Sequence, residues 1–118
     1  NILLIKKMLS QYTFEIRTAN GGQAALDAIA QKKPNLVLLD LMMPGIDGFE
    51  VIRRLRAADD TKDLPIIILS ALNSEQDISK GFQLGANDFI NKPIIMEKLL
   101  SSVTTQINLQ AAKQQLNN

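Results

Sequence analysis

Apolar positions in this chain follow two periodicities in turn. Leu36–Leu39 and Ile66–Leu69 are continuous apolar runs closed by Asp40 and Ser70, the pattern of strands buried on both faces. Between them, FEVIRRLRAA turns Phe49, Val51, Ile52 and Leu55 toward a core and Arg53, Arg54 and Arg56 mostly toward water, which predicts an amphipathic helix. Asp47, with Glu50 following at capping-box spacing, supplies its N-terminal cap. Upstream, NILLIKKMLSQ reads as a short helix through Ile2, Ile5, Met8 and Leu9, and TFEIRTA as a short strand alternating through Phe14, Ile16 and Thr18. The turn Asn20-Gly21-Gly22 then leads into GQAALDAIAQKK, an alanine-rich helix stopped by Pro34. Downstream, Ser74 and Asp77 open a helix through ISKGFQLG that closes at Gly85 in a left-handed cap, and ANDFINK gives a short strand. From Pro93 onward Met96, Leu99, Leu100, Val103 and Ile107 mark the buried stripe of one long helix. The stripe fades after Ile107, so the expected domain spans 1–107, with 108–118 as a helical extension or linker.

Strands alternating with helices, and strand runs that are continuous rather than alternating, predict an α/β fold with a parallel sheet covered on both faces. Such sheets bind ligands beyond the carboxyl ends of their strands. Asp40, Ser70 and Lys92 each stand at such an end.

Composition narrows the chemistry. The 118 residues fit one domain, 46% hydrophobic content fits a packed core, and 4% aromatics make that core aliphatic. Thirteen basic against twelve acidic residues give a net charge of +1, which calls for neither nucleic acid nor an anionic membrane. The arginine cluster is diluted by Glu50 and Asp59-Asp60, and no apolar run approaches the roughly 20 residues of a membrane helix. With no cysteine and no histidine in the sequence, thiolate chemistry, Ser-His-Asp triads and histidine metal sites are excluded. What remains is a carboxylate, a hydroxyl and an ammonium group at neighbouring strand ends. That set suits phosphoryl transfer, in which a nucleophile attacks and positive groups hold the equatorial oxygens. Singly, each has an ordinary role: Asp40 as a turn residue, Ser70 as a strand-end hydroxyl, Lys92 as a solvated lysine and Phe89 as a core aromatic.

Taken together, LVLLDLMMPGIDGFEVIRRLR, LPIIILSA and GANDFINKP resemble the receiver domain of two-component response regulators. The resemblance implies a flavodoxin-like, doubly wound parallel sheet of strand order 2-1-3-4-5. It implies Asp40 as phosphoacceptor, Lys92 as the lysine that contacts the phosphoryl group, Ser70 as the switch hydroxyl and Phe89 as the switch aromatic. It implies Mg²⁺ bound by Asp40 and the backbone carbonyl of Met42, and a cis peptide bond between Lys92 and Pro93. The implied donor is the phosphohistidine of a histidine kinase or phosphotransfer protein, and the implied recipient of the signal is an output domain or effector. The chain is then cytoplasmic, without direct nucleic-acid or membrane contact. It is not a turnover enzyme, and it catalyses only its own phosphorylation and slow dephosphorylation.

One departure stands out. The family opens on a central strand ending in two adjacent acidic residues that complete the magnesium site, and Asn1 aligns just after that pair. Glu15 and Asp27 are single, so the first strand and the remaining acidic ligands are expected upstream of Asn1, in a longer protein of which this sequence is a fragment. The alternatives are a natural variant that folds without the strand, or a slot between the strands at Phe14–Ile16 and Leu36–Leu39 filled by another chain. A pseudo-receiver, acting as an interaction module without phosphorylation, is the rival function. A phosphatase of the haloacid dehalogenase type requires a second acid two residues after the nucleophile, where Met42 stands. The tail TTQINLQAAKQQLNN, rich in helix formers with a weak heptad, leaves both a linker and a coiled-coil homodimer open.

Overall fold

Local chemistry sets the element limits in the computed structural model, which describes residues 19, 21–41, 47–71 and 74–116. The alanine-rich helix α1 runs Gly22–Gln31 and unwinds at Lys32, which is already extended at φ −152° and ψ 111°. It stops short of the residues nearest Pro34 because a proline excludes the residue before it from helical backbone. Strand β1 follows at Val37–Asp40. Helix α2 occupies Gly48–Ala57, and its cap is the expected one: the Asp47 side chain accepts from Glu50 N–H at 2.9 Å. Strand β2, Ile66–Ser70, is buried at every position. Helix α3 spans Glu75–Leu84, with the Ser74 hydroxyl accepting from Asp77 N–H and Gly85 in the left-handed region at φ 115°. Strand β3 is Asp88–Asn91, and helix α4 runs unbroken from Met96 to Leu116. The expected opening helix, the strand through Phe14 and Ile16, and the loop carrying Met42 lie outside the described residues.

The three strands form one parallel sheet in the order β1-β2-β3. Val37 pairs with Ile66 and Asp40 with Leu69, while Ile67 pairs with Asp88 and Ser70 with Asn91. Successive side chains of β2 point to opposite faces and feed two separate cores. Ile66 and Ile68 pack with Ile29, Leu39, Val51, Ile52 and Leu55. Ile67 and Leu69 pack with Ile90, Leu99 and Val103, joined by Met96 and Ile107. Helix α4 thus covers the second face with its first half, and beyond Ile107 its Leu109 is 58% exposed.

Two side chains depart from the reading of the sequence. Phe49 is half-buried rather than buried, with Lys80 Nζ 4.5 Å from its ring centroid. Arg56 does not face water with Arg53 and Arg54. It is half-buried and donates to the carbonyls of Gly85 and Thr61 and to Asn87 Oδ1. It lies one helical turn beyond the fully buried Ile52, on the inward side of α2.

Candidate functional site

β1 and β2 both finish at the same end of the sheet, so Asp40 and Ser70, their last residues, are held there by register alone. Lys92 follows the last residue of β3, and its backbone N–H donates to Ser70 O at 2.9 Å, extending the ladder by one bond. From that position Lys92 Nζ reaches Asp40 Oδ2 at 2.6 Å. The two side chains are 33% and 29% exposed, so the pair is open enough to water for a ligand to reach it. The peptide bond from Lys92 to Pro93 is cis. Ser70 is fully buried in the central strand. Phe89 is half-buried on the other face of β3 from Ile90, beside α3 and Ile68. A Cβ placed on Gly81 would lie 2.7 Å from Ile68 Cδ1 and 3.7 Å from the Phe89 ring.

Gly48 shapes the backbone around Asp40. Gly48 begins α2 directly against the backbone that follows the strand: a Cβ there would meet Leu41 Cα at 2.9 Å and Asp40 O at 3.3 Å. The missing side chain lets the helix start close under the carboxylate-bearing peptide. The signal available in the sequence was Gly48 immediately after a capping Asp47.

The nearby helix face is strongly ionised. Arg53 and Arg54 donate to the Glu50 carboxylate, and these hydrogen bonds, Arg53 first, hold its pKa down from the usual 4.5 to about 2. Arg56 shows the opposite influence: burial pulls its pKa down, against the attraction of Asp63.

Asp40 offers a hard, partly exposed oxygen at a strand end, which fits Mg²⁺, an ion that keeps several of its waters and uses few carboxylates. Among the described residues no group of three or more His, Cys, Asp or Glu stands together, and Asp40 is the residue there that would hold such an ion.

Residues 1–104 match the response regulator receiver domain family. The chain belongs to this family. The receiver domain of this protein is 39% identical over 94 residues to the response regulator PleD of Caulobacter vibrioides, a match covering 80% of this chain and 21% of PleD. The chain spans about a fifth to two fifths of the length of the curated relatives it matches. In structure it resembles a putative response regulator from Chloroflexus aurantiacus, with a TM-score of 0.87 and 32% identity over 91% of this chain and 88% of that one. It also resembles the Mn²⁺-bound form of the response regulator Rcp1, with a TM-score of 0.74 and 27% identity over 86% of this chain and 80% of that one. The receiver domain is therefore α/β and flavodoxin-like, part of the two-component signalling machinery. Among the described residues no helix is long and apolar enough to cross a membrane.

Proposed function

We propose that the receiver domain accepts a phosphoryl group on Asp40 from a phosphohistidine of a histidine kinase or phosphotransfer protein. The observation that carries this reading is the 2.6 Å contact between Lys92 Nζ and Asp40 Oδ2, a fixed ammonium group beside a partly exposed carboxylate at the strand ends. One Asp40 oxygen bonds to phosphorus as the phosphorus–nitrogen bond to the donor imidazole breaks. The imidazole leaves with the bonding pair and takes up a proton. Lys92 passes from the carboxylate to the phosphoryl oxygens, where a positive charge stabilises the transferring group. Mg²⁺ is the ion proposed for this site, held by Asp40 and the Met42 backbone carbonyl, and when bound it neutralises charge on the phosphoryl oxygens.

The acyl phosphate raises the local charge from −1 to about −1.5 to −2 in total on the phosphoryl group. Ser70, at the neighbouring strand end, answers it by turning its hydroxyl toward the phosphoryl oxygens, and Phe89 moves into the space given up. The affected face is the outer one of α3 and β3, the helix after Ser70 and the strand that leads to Lys92, with Phe89 lying against Gly81 of that helix. That face is where an output domain or effector reads the state. The proposed role is cytoplasmic and ends with self-phosphorylation and slow self-dephosphorylation.

Incubation with acetyl phosphate and Mg²⁺, read by phosphate-affinity electrophoresis and intact mass, should add one phosphoryl group that Asp40→Asn removes. Unchanged labelling of Asp40→Asn refutes the assignment, and a full-length wild-type protein, with the residues upstream of Asn1, that takes no label under any phosphohistidine donor points to the pseudo-receiver.

A further inference from the structure

Lys92 sits beyond the end of a strand only four residues long, and its place depends on how that strand begins. β3 starts at a polar junction on the opposite edge of the sheet from Asp40. Asn87 N–H donates to Ile66 O at 2.8 Å, and Asn87 Oδ1 accepts from Ile66 N–H at 2.9 Å. One residue thereby grips both backbone groups of the first residue of β2. Asn87 Oδ1 also accepts from Arg56 Nη2 at 3.0 Å.

Arg56 makes this junction rigid. Its Nε and Nη2 donate to Gly85 O at 3.0 and 2.8 Å, and its Nη1 donates to Thr61 O at 3.1 Å. A single guanidinium therefore ties the end of α2, the loop after it, the cap of α3 and the start of β3. The chain makes room for it: a Cβ on Gly85 would lie 2.8 Å from Arg56 Nε. A planar fork with several fixed donors suits such a cluster of acceptors, and a lysine could not serve them together.

We infer that Asn87 and Arg56 are positioning residues for Lys92: by clamping the start of β3 onto Ile66 they set the β2–β3 register that delivers the lysine to Asp40. The consequence of losing the clamp is large because a slip of one residue moves the strand by about 3.3 Å and turns every side chain to the other face. Lys92 would leave Asp40, and Ile90 would leave the core it shares with Leu99. Only the acceptor oxygen of Asn87 is used, so an aspartate, with the same reach, can replace it.

The functional half of this inference rests on Asp40 being the phosphoacceptor; the geometric half does not, and the test separates them. In the full chain, the Lys92 ε-methylene resonance is followed with and without Asp40→Asn, which shifts it when the two side chains are in contact. The shift should be present in the wild type and in Asn87→Asp and lost in Asn87→Ala, together with the cross-strand contacts pairing Ser70 with Asn91. Acetyl phosphate labelling should fall at least about tenfold in Asn87→Ala, since misplacing a catalytic group by about 1 Å can cost a hundredfold, and stay within about threefold in Asn87→Asp. Arg56→Lys, which keeps the charge and loses the fork, gives the same reading if Asn87→Ala does not fold. An Asn87→Ala chain in which Lys92 still responds to Asp40→Asn overturns the inference, as does an Asn87→Asp chain no better than Asn87→Ala. If the wild type takes no label at Asp40, the phosphoacceptor reading falls, and the resonance and cross-strand contacts alone decide the clamp.

Discussion

Asp40 and Lys92 stand 52 residues apart in the chain and meet because β1 and β3 flank β2 and run parallel to it, so that all three finish at the same end of the sheet. At this scale the strictest position is Gly48. Any side chain there meets backbone at Leu41 Cα, which cannot rotate away as the Leu41 methyl can. Gly48→Ala should therefore lower stability by about 1–3 kcal/mol in denaturant unfolding, the usual cost of overpacking, and slow labelling of Asp40 beyond what that loss explains. A stability equal to wild type would show that α2 does not start so close. Glu50 makes a second prediction. Its folded pKa is depressed, so its contribution is fully present above the ordinary 4.5 and is lost as pH falls through about 2. A carboxyl NMR titration should place its midpoint near 2 at low salt and move it toward 4.5 in Arg53→Ala. The pair is exposed, so added salt should move it the same way.

The elements were legible in the sequence wherever their limits are local. Asp47 and Ser74 cap α2 and α3, and Gly85 closes α3, because each acts on backbone within one turn of itself. Ser74→Ala should cost about 1 kcal/mol. Gly85→Ala should cost more, since it adds the roughly 1–2 kcal/mol of left-handed backbone to a collision with Arg56, and urea unfolding of both variants will rank them. Asp40 and Ser70 were equally legible, because a continuous apolar run fixes where a buried strand stops, whereas Lys92 follows the short mixed strand Asp88–Asn91 and stands one residue past its end. Arg56 was not. Its partners Gly85 and Asn87 lie 29 and 31 residues away, and a composition of three nearby arginines looks like a wet helix face unless the inward turn after Ile52 is counted. Phe49 does pack against the first core, but Lys80 of another helix lies over its ring, a partner that the local pattern could not supply.

At the scale of the molecule, the described anchors of α4 lie in its first half, at Met96, Leu99, Val103 and Ile107. Leu99, with no exposed surface, should cost about 2–5 kcal/mol on truncation to alanine, whereas Leu109→Ala should stay within about 0.5 kcal/mol; thermal melts of the two variants would contradict this anchoring if their losses were equal. A switch that converts the domain almost completely, from 1:99 to 99:1, needs about 5.5 kcal/mol of differential stabilisation. In the proposed phosphorylated state, charge-assisted contacts from Lys92 and Ser70 to the phosphoryl group would be the kind of interaction that approaches this sum.

The division of β2 between two cores reaches further than stability. Among the described residues, a change of volume at Ile68 falls on Val51, Ile52, Leu55 and their neighbours, and one at Ile67 on Ile90, Leu99, Val103 and theirs. The strand itself stands between the two sets and passes no slack from one to the other. As receiver domains diverge, compensating substitutions should therefore accumulate in two independent groups, with adjacent residues of β2 belonging to different ones.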